Sequence, residues 1–244
     1  MAMDFEKMTE EELLEAAQHY LDGTDDFEQD PEMGAQLLKT AADRGNANAL
    51  CDYGTCLFNG TGVPKDDGAA LRYWEEAAQK GCAPAMHKMA VCWLNGLCGM
   101  EKDPVKAADL FTQAAENGEL NSTFNLAVMY ENGVGVTKDL AKSGQYLQAA
   151  AEKKYPLACF FLGMKTMAGA GDDAEQIARA VSLIQFAAEA GEAQAQFVYG
   201  SLFQDGHGVE KDLAQAAGWY RRSAKGGFPL ANQALMRLGF PGVQ

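Results

Sequence analysis

The 244-residue chain has no apolar run of about 18 residues, so no membrane-spanning helix is expected. It does not open on a basic segment followed by an apolar core, so no secretory leader is expected either. The expected location is cytoplasmic, with secretion as a bacterial effector as an alternative. Bases are scarce: 20 Lys and Arg stand against 34 Asp and Glu, a net charge of −14. Such a surface repels phosphate backbones, which argues against nucleic acid as a partner. The imbalance is concentrated, with a net −10 in residues 1–46 and −4 in residues 47–244. A solvated cap and a docking face for a basic partner both fit that acidic end. The six cysteines, at 51, 56, 82, 92, 98 and 159, form no Cys-x-x-Cys, and their spacing does not recur. Buried free thiols acting as small hydrophobes in a reducing compartment are expected. Ser-x-x-Lys, Ser-Asp-Asn and Lys-Thr-Gly are all missing, so no nucleophile stands beside its base.

What the chain does have is a repeat. A small-residue pair followed by Gly closes successive units: Ala41-Ala42…Gly45, Ala77-Ala78…Gly81, Ala114-Ala115…Gly118 and Ala187-Ala188…Gly191. Weaker copies are Ala150-Ala151…Lys154 and Ser223-Ala224…Gly227. The closing positions step by 36 or 37 residues, the signature of stacked supersecondary units. The expected divisions are 1–46 (acidic and degenerate), 47–82, 83–119, 120–155, 156–192, 193–228, and a capping helix with tail at 229–244.

Each unit reads as two helices. One first helix runs from about Asn46 to Asn59, with Leu50, Tyr53, Leu57 and Phe58 at helical spacing. Gly54 sits where later copies place Ala90, Ala127, Gly163 and Gly200, a small residue that admits a neighbouring helix. Glycine-rich turns follow: Gly60-Thr61-Gly62-Val63, Gly96-Leu97-Cys98-Gly99, Gly133-Val134-Gly135-Val136, Gly169-Ala170-Gly171 and Gly206-His207-Gly208-Val209. They end helices rather than cradle phosphate, since no strand precedes them and no Gly-Lys-Ser/Thr follows. Asp30, Asp66, Asp103, Asp139 and Asp212 then stand as N-caps, with Gln176 at that register in the 156–192 copy. Each second helix carries a large pair: Leu37-Leu38, Tyr73-Trp74, Leu110-Phe111, Tyr146-Leu147, Leu183-Ile184 or Trp219-Tyr220. Large against small lets neighbouring helices interlock. Thr9-Glu10-Glu11-Glu12 forms a capping-box pattern at the start, and a lone helix at about Pro229–Leu238 ends the series.

These elements resemble the Sel-1-like repeat family, relatives of the tetratricopeptide repeats. The likeness rests on Ala158…Leu162-Gly163 and Ala195…Tyr199-Gly200, on Tyr130-Glu131-Asn132-Gly133-Val134-Gly135-Val136, and on the Asp66–Gly81 stretch. It covers roughly residues 10–240, and only the first loop, Asp22-Gly23-Thr24-Asp25-Asp26, lacks the second Gly. The resemblance implies an all-α, right-handed α/α superhelical solenoid of about six two-helix repeats plus a C-terminal capping helix.

Three chemical readings fail on spacing. From Asp22 as first position, a calcium loop needs Gly sixth and Glu twelfth, where Phe27 and Met33 stand. Cys82, His87 and Cys92 are five residues apart, about 140° around a helix per step, so they share no metal-binding face. His87 instead aligns with Cys51, Phe124, Phe160 and Phe197, a packing position. Some cysteine-rich relatives are associated with penicillin binding or weak β-lactamase activity, but those carry disulfide-bonded pairs in each repeat, which this chain lacks. A cell-wall-directed role remains the alternative from a different class.

No cofactor and no catalytic or metal residues are expected. By resemblance, the first helices line a concave face that takes a protein or peptide partner. The columns there are Thr55, Val91, Val128, Met164 and Ser201, then Phe58, Leu94, Glu131, Met167 and Gln204, then Asn59, Asn95, Asn132, Ala168 and Asp205. The Asn column fits either a peptide grip or a helix-ending turn. The apolar stretch Val91, Val128, Met164 and Met167 fits either an anchor groove or packing between repeats. The expectation is a non-enzymatic scaffold or adaptor, monomeric and without a membrane or nucleic-acid partner.

Overall fold

A computed structural model describes residues 5–23 and 28–243. The Thr24–Phe27 part of the irregular first loop, including the sixth position of the rejected calcium pattern, lies outside the described residues. The described chain is helical throughout, with a 3-10 turn at Phe5–Lys7 and thirteen α-helices. They are α1 (Glu10–Asp22), α2 (Pro31–Asp43), α3 (Ala47–Asn59), α4 (Asp67–Gln79), α5 (Ala83–Asn95), α6 (Pro104–Glu116), α7 (Leu120–Asn132), α8 (Leu140–Glu152), α9 (Pro156–Ala170), α10 (Ala174–Glu189), α11 (Ala193–Asp205), α12 (Leu213–Lys225) and α13 (Ala231–Arg237). They fall into two compact units, Met1–Leu140 and Ala141–Gln244.

In the first unit the helix starts are set by side-chain caps. Thr9 accepts from the Glu12 amide while Glu12 accepts from the Thr9 amide, a complete capping box. Asp30, Asp66 and Asp103 each accept an amide of the following first turn, from Met33, Ala69 and Lys106. Pro31 and Pro104 occupy the first helical position, where no amide partner is needed. The core runs from Leu13 through Leu37, Leu38, Leu50 and Trp74 to Cys92. Each such fully buried large side chain contributes roughly 1.5–3 kcal/mol. Gly54 is small because a Cβ there would lie 2.8 Å from the Trp74 ring and 3.1 Å from the Ala70 carbonyl oxygen. The indole Nε1 of Trp74 donates to the Cys51 carbonyl at 3.1 Å, so the large residue is also fixed by a hydrogen bond.

In two loops the second glycine has a packing task. At Gly62 and Gly135, both with positive φ, a Cβ would lie 1.9 and 2.0 Å from the carbonyl oxygens of Pro31 and Pro104. The loop therefore rests directly on the backbone of the preceding repeat's second helix. In the 83–119 repeat, Cys98 holds this register and takes a φ of 56°. The expected Gly99 does have a positive φ, but a Cβ there would meet nothing.

The second unit departs from the sequence reading in one hairpin. Gly169 was expected to end its helix, yet α9 runs through it to Ala170 and stops at Gly171. Asp173, not Gln176, caps α10, accepting from the Glu175 and Gln176 amides. Gln176 lies inside the helix and donates its side-chain amide to Asp173 at 2.9 Å. The extra residues lengthen both helices: α10 has 16 residues against the usual 13. Gly163 still receives Ile184, and Gly200 still receives Tyr220, as close neighbours. At the end, α13 is shorter than the expected Pro229–Leu238. Residues 239–243 fold back on it, with Asn232 bonded to both the amide and carbonyl of Val243.

Candidate functional site

In the first unit a cleft of about 580 Å³ lies between α1, α3 and the start of α5. Its α3 wall is built by Asn48, Asp52, Thr55 and Asn59, spaced by three or four residues and so stacked on one face. Gln18 and Asp22 face them from α1, and Leu14, Leu38 and Cys51 contribute apolar lining. The charges lining the cleft are the carboxylates of Asp22 and Asp52. Partial enclosure pushes the Asp52 carboxyl above its ordinary value, and the nearby Lys88 ammonium opposes the shift. Cys82, the residue before α5, also lines the cleft. A hydrogen bond with Cys51 draws its thiol down to about 7, assisted by the Ala85 amide, while burial opposes. The Cys51 thiol is correspondingly pushed up.

Of the residues singled out from sequence, Thr55 and Asn59 line this cleft, and the Thr55 hydroxyl donates to the Cys51 carbonyl. Phe58 is half-buried against Trp74, with ring centroids 5.4 Å apart, and carries Lys65 over its face. Val91 and Leu94 are half-buried, and Val128 is 39% exposed. Asn95 and Asn132 are exposed, and their amides turn back to the Val91 and Val128 carbonyls at 3.0 and 2.9 Å. Both stand in the last turn of their helices, directly before the glycine that ends each one. Glu131 is half-buried.

In the second unit, Met164 is 39% exposed. Met167 is half-buried, with its sulfur 3.1 Å from His207 Nε2. Ser201 donates to the Val198 carbonyl, and Gln204 accepts the Tyr220 hydroxyl at 3.0 Å. The cleft residues Gln18, Asn48 and Asp52 were missed by sequence reasoning. For Asn48 and Asp52 the signal was the polar i, i+4, i+7 series that begins about two turns before Thr55.

His87 Nδ1 lies 2.9 Å from the Ser122 hydroxyl and its ring packs on Phe111, tying α5, α6 and α7 together. Burial lowers its pKa, with Lys88 acting in the same direction and Glu119 opposing. Among the described residues, no three His, Cys, Asp or Glu side chains are arranged to hold a metal ion. No described helix is long and apolar enough to cross a membrane. All six cysteines are free thiols, five buried and Cys98 partly exposed.

Paired helices with capping aspartates, glycine-ended first helices and interlocked large and small residues define an all-α helical-repeat protein. More narrowly, the chain belongs to the Sel1 repeat family, whose model matches residues 13–46, 47–82, 83–119, 121–155, 156–192 and 193–228. The crystal structure of a Sel1 repeat protein from Oxalobacter formigenes is similar over 96% of this chain and 67% of that one, with 29% identity and a TM-score of 0.79. Chitin synthase regulatory factor 3 of Schizosaccharomyces pombe is 26% identical over 92% of this chain and 29% of its own length. Chitin synthase regulator SKT5 of Saccharomyces cerevisiae is 29% identical over 80% of this chain and 30% of its length. The chain thus spans less than a third of the length of these two curated relatives.

Proposed function

We propose that this chain is a non-enzymatic adaptor that binds a protein or peptide partner through the exposed faces of its first helices, in the cytoplasm. The observation that carries the reading is the open cleft on α1, α3 and α5, walled by stacked amides, hydroxyls and two carboxylates over an apolar lining. Such a surface offers hydrogen bonds to an extended backbone and room for side chains. The regulatory names of the relatives support a role exerted on another protein. Within the first unit the contact residues are Thr55, Phe58, Val91, Leu94, Asn95, Val128, Glu131 and Asn132. Within the second they are Met164, Met167, Ser201 and Gln204.

Affinity capture from lysate of the source organism tests the assignment, comparing wild type with Val128→Glu and with Met164→Glu/Met167→Glu. A protein bound by wild type and lost from the variants, all three remaining helical by circular dichroism, is the expected result. Equal capture by wild type and both variants would remove those residues from the interface.

A further inference from the structure

Cys92 and Cys98 form a thiol pair where α5 ends. Their sulfur atoms are 3.3 Å apart, Cys92 buried in the last turn of α5 and Cys98 partly exposed in the turn that follows. The backbone holds both in place. Gly96 and Leu97 donate their amides to the Cys92 carbonyl, so the chain folds back over that residue. Met100 donates to the Leu97 carbonyl, closing a four-residue turn with Cys98 and Gly99 at its centre, both with positive φ. Further on, Asp103 donates to Trp93 and closes the loop onto α5. Cys98 occupies the register of Gly62, Gly135 and Gly208 and accepts a left-handed backbone that glycine tolerates better. In the 83–119 repeat the glycine of this register gives way to a thiol that meets another thiol.

We propose that Cys92 and Cys98 form an oxidisable dithiol site that closes to an intramolecular disulfide when the folded chain meets a small-molecule disulfide such as oxidised glutathione. The Cys98 thiolate attacks one sulfur of the oxidant, forming a mixed disulfide and releasing one glutathione thiolate. The Cys92 thiolate then attacks the Cys98 sulfur and expels the second glutathione. Two thiols lose two electrons and two protons, and one oxidised glutathione becomes two reduced molecules. A disulfide bond of about 2.05 Å requires the sulfurs to approach by roughly 1.3 Å, within the reach of side-chain rotation and a small loop shift.

The surroundings set the rate. Burial pushes Cys92 up to about 12, and its hydrogen bond with Cys98 and the charge of Asp67 add to the rise, against Lys88. Burial also raises Cys98, with Asp67 adding and the Cys92 hydrogen bond and Lys65 opposing. Both thiols are therefore protonated at neutral pH, and exchange accelerates as the pH is raised. The closed pair ties the turn bearing the exposed Leu97 to the end of α5.

The test treats the folded 244-residue chain with oxidised glutathione at pH 7 and pH 9. Alkylation in acid and mass spectrometry of intact protein and of peptides follow. Loss of two hydrogens, a mapped Cys92–Cys98 link, faster closure at pH 9 and an unchanged helical spectrum are expected. Cys98→Gly restores the residue of the other repeats, so it is expected to fold and to keep its remaining thiols under the same treatment. Retention of all six thiols by wild type would overturn the proposal, as would a link mapped to Cys51 and Cys82, or closure seen only after addition of denaturant.

Discussion

Replacing Gly135 with Ala is expected to destabilise the first unit by about 3 kcal/mol, whereas the same change at Gly99 costs about 1–2 kcal/mol. The backbone term is common to both, since φ is 69° at Gly135 and 74° at Gly99. Placing an L-residue in that left-handed region costs roughly 1–2 kcal/mol. The difference lies in what the added Cβ meets. At Gly99 it meets nothing within 4 Å. At Gly135 it would lie 2.0 Å from the Pro104 carbonyl oxygen and 2.4 Å from its carbon. Neither atom belongs to a side chain that can swing away, and Pro104 is locked in φ at the first position of α6. The loop and the first turn of α6 must separate by more than about 1 Å, an overpacking strain worth roughly 1–3 kcal/mol beyond the backbone term. Urea unfolding followed by circular dichroism measures both variants. Hydrogen exchange at the α6 first-turn amides should locate the loosening in Gly135→Ala alone. If the two variants lose equal stability within about 0.5 kcal/mol, loop-to-helix contact does not account for this glycine.

Gly54→Ala should cost about 1–3 kcal/mol by crowding Trp74. Trp74→Phe should cost less in that background than in wild type, as judged by a double-mutant cycle on urea midpoints, and strict additivity would contradict the pairing. The burial that lowers the His87 pKa also predicts a pH effect. The unfolded chain binds the His87 proton more readily, so stability is full above the ordinary histidine value of about 6.5 and falls as pH drops through it towards the lower folded value. His87→Phe, carrying the residue of three other repeats, should flatten the unfolding midpoint between pH 7.5 and pH 5, and an unchanged slope would refute the assignment.

Much of the fold was legible because each repeat states the same local rules. Asp30, Asp66, Asp103 and Asp212 could be read as caps because an Asp directly ahead of an amphipathic run has one good use. The exception shows the limit. Gln176 keeps the cap register in sequence, but Asp173 offers a better cap three residues earlier, and α10 extends to reach it. Counting from neighbouring repeats could not reveal that, because helix length is decided by competition between nearby caps. For the candidate site, Thr55 was found from its column, whereas Gln18 on α1 was not. A cleft between helices of different repeats depends on how those helices approach.

The sequence by itself determined the class of this protein: a 36- or 37-residue period, paired helices, their caps, and the small-against-large register that stacks them. These are local or periodic properties, set by backbone chemistry and helical spacing, and they repeat often enough to be read without coordinates. Tertiary structure alone decided which residues meet. It placed Asp52 opposite Gln18 and Asp22 around one cleft, pressed Gly62 and Gly135 onto the backbones of Pro31 and Pro104, and joined His87 to Ser122. It also brought the Cys92 and Cys98 sulfurs to 3.3 Å. Each of these depends on distances across a packed interface or around a turn, which a linear pattern constrains but does not specify.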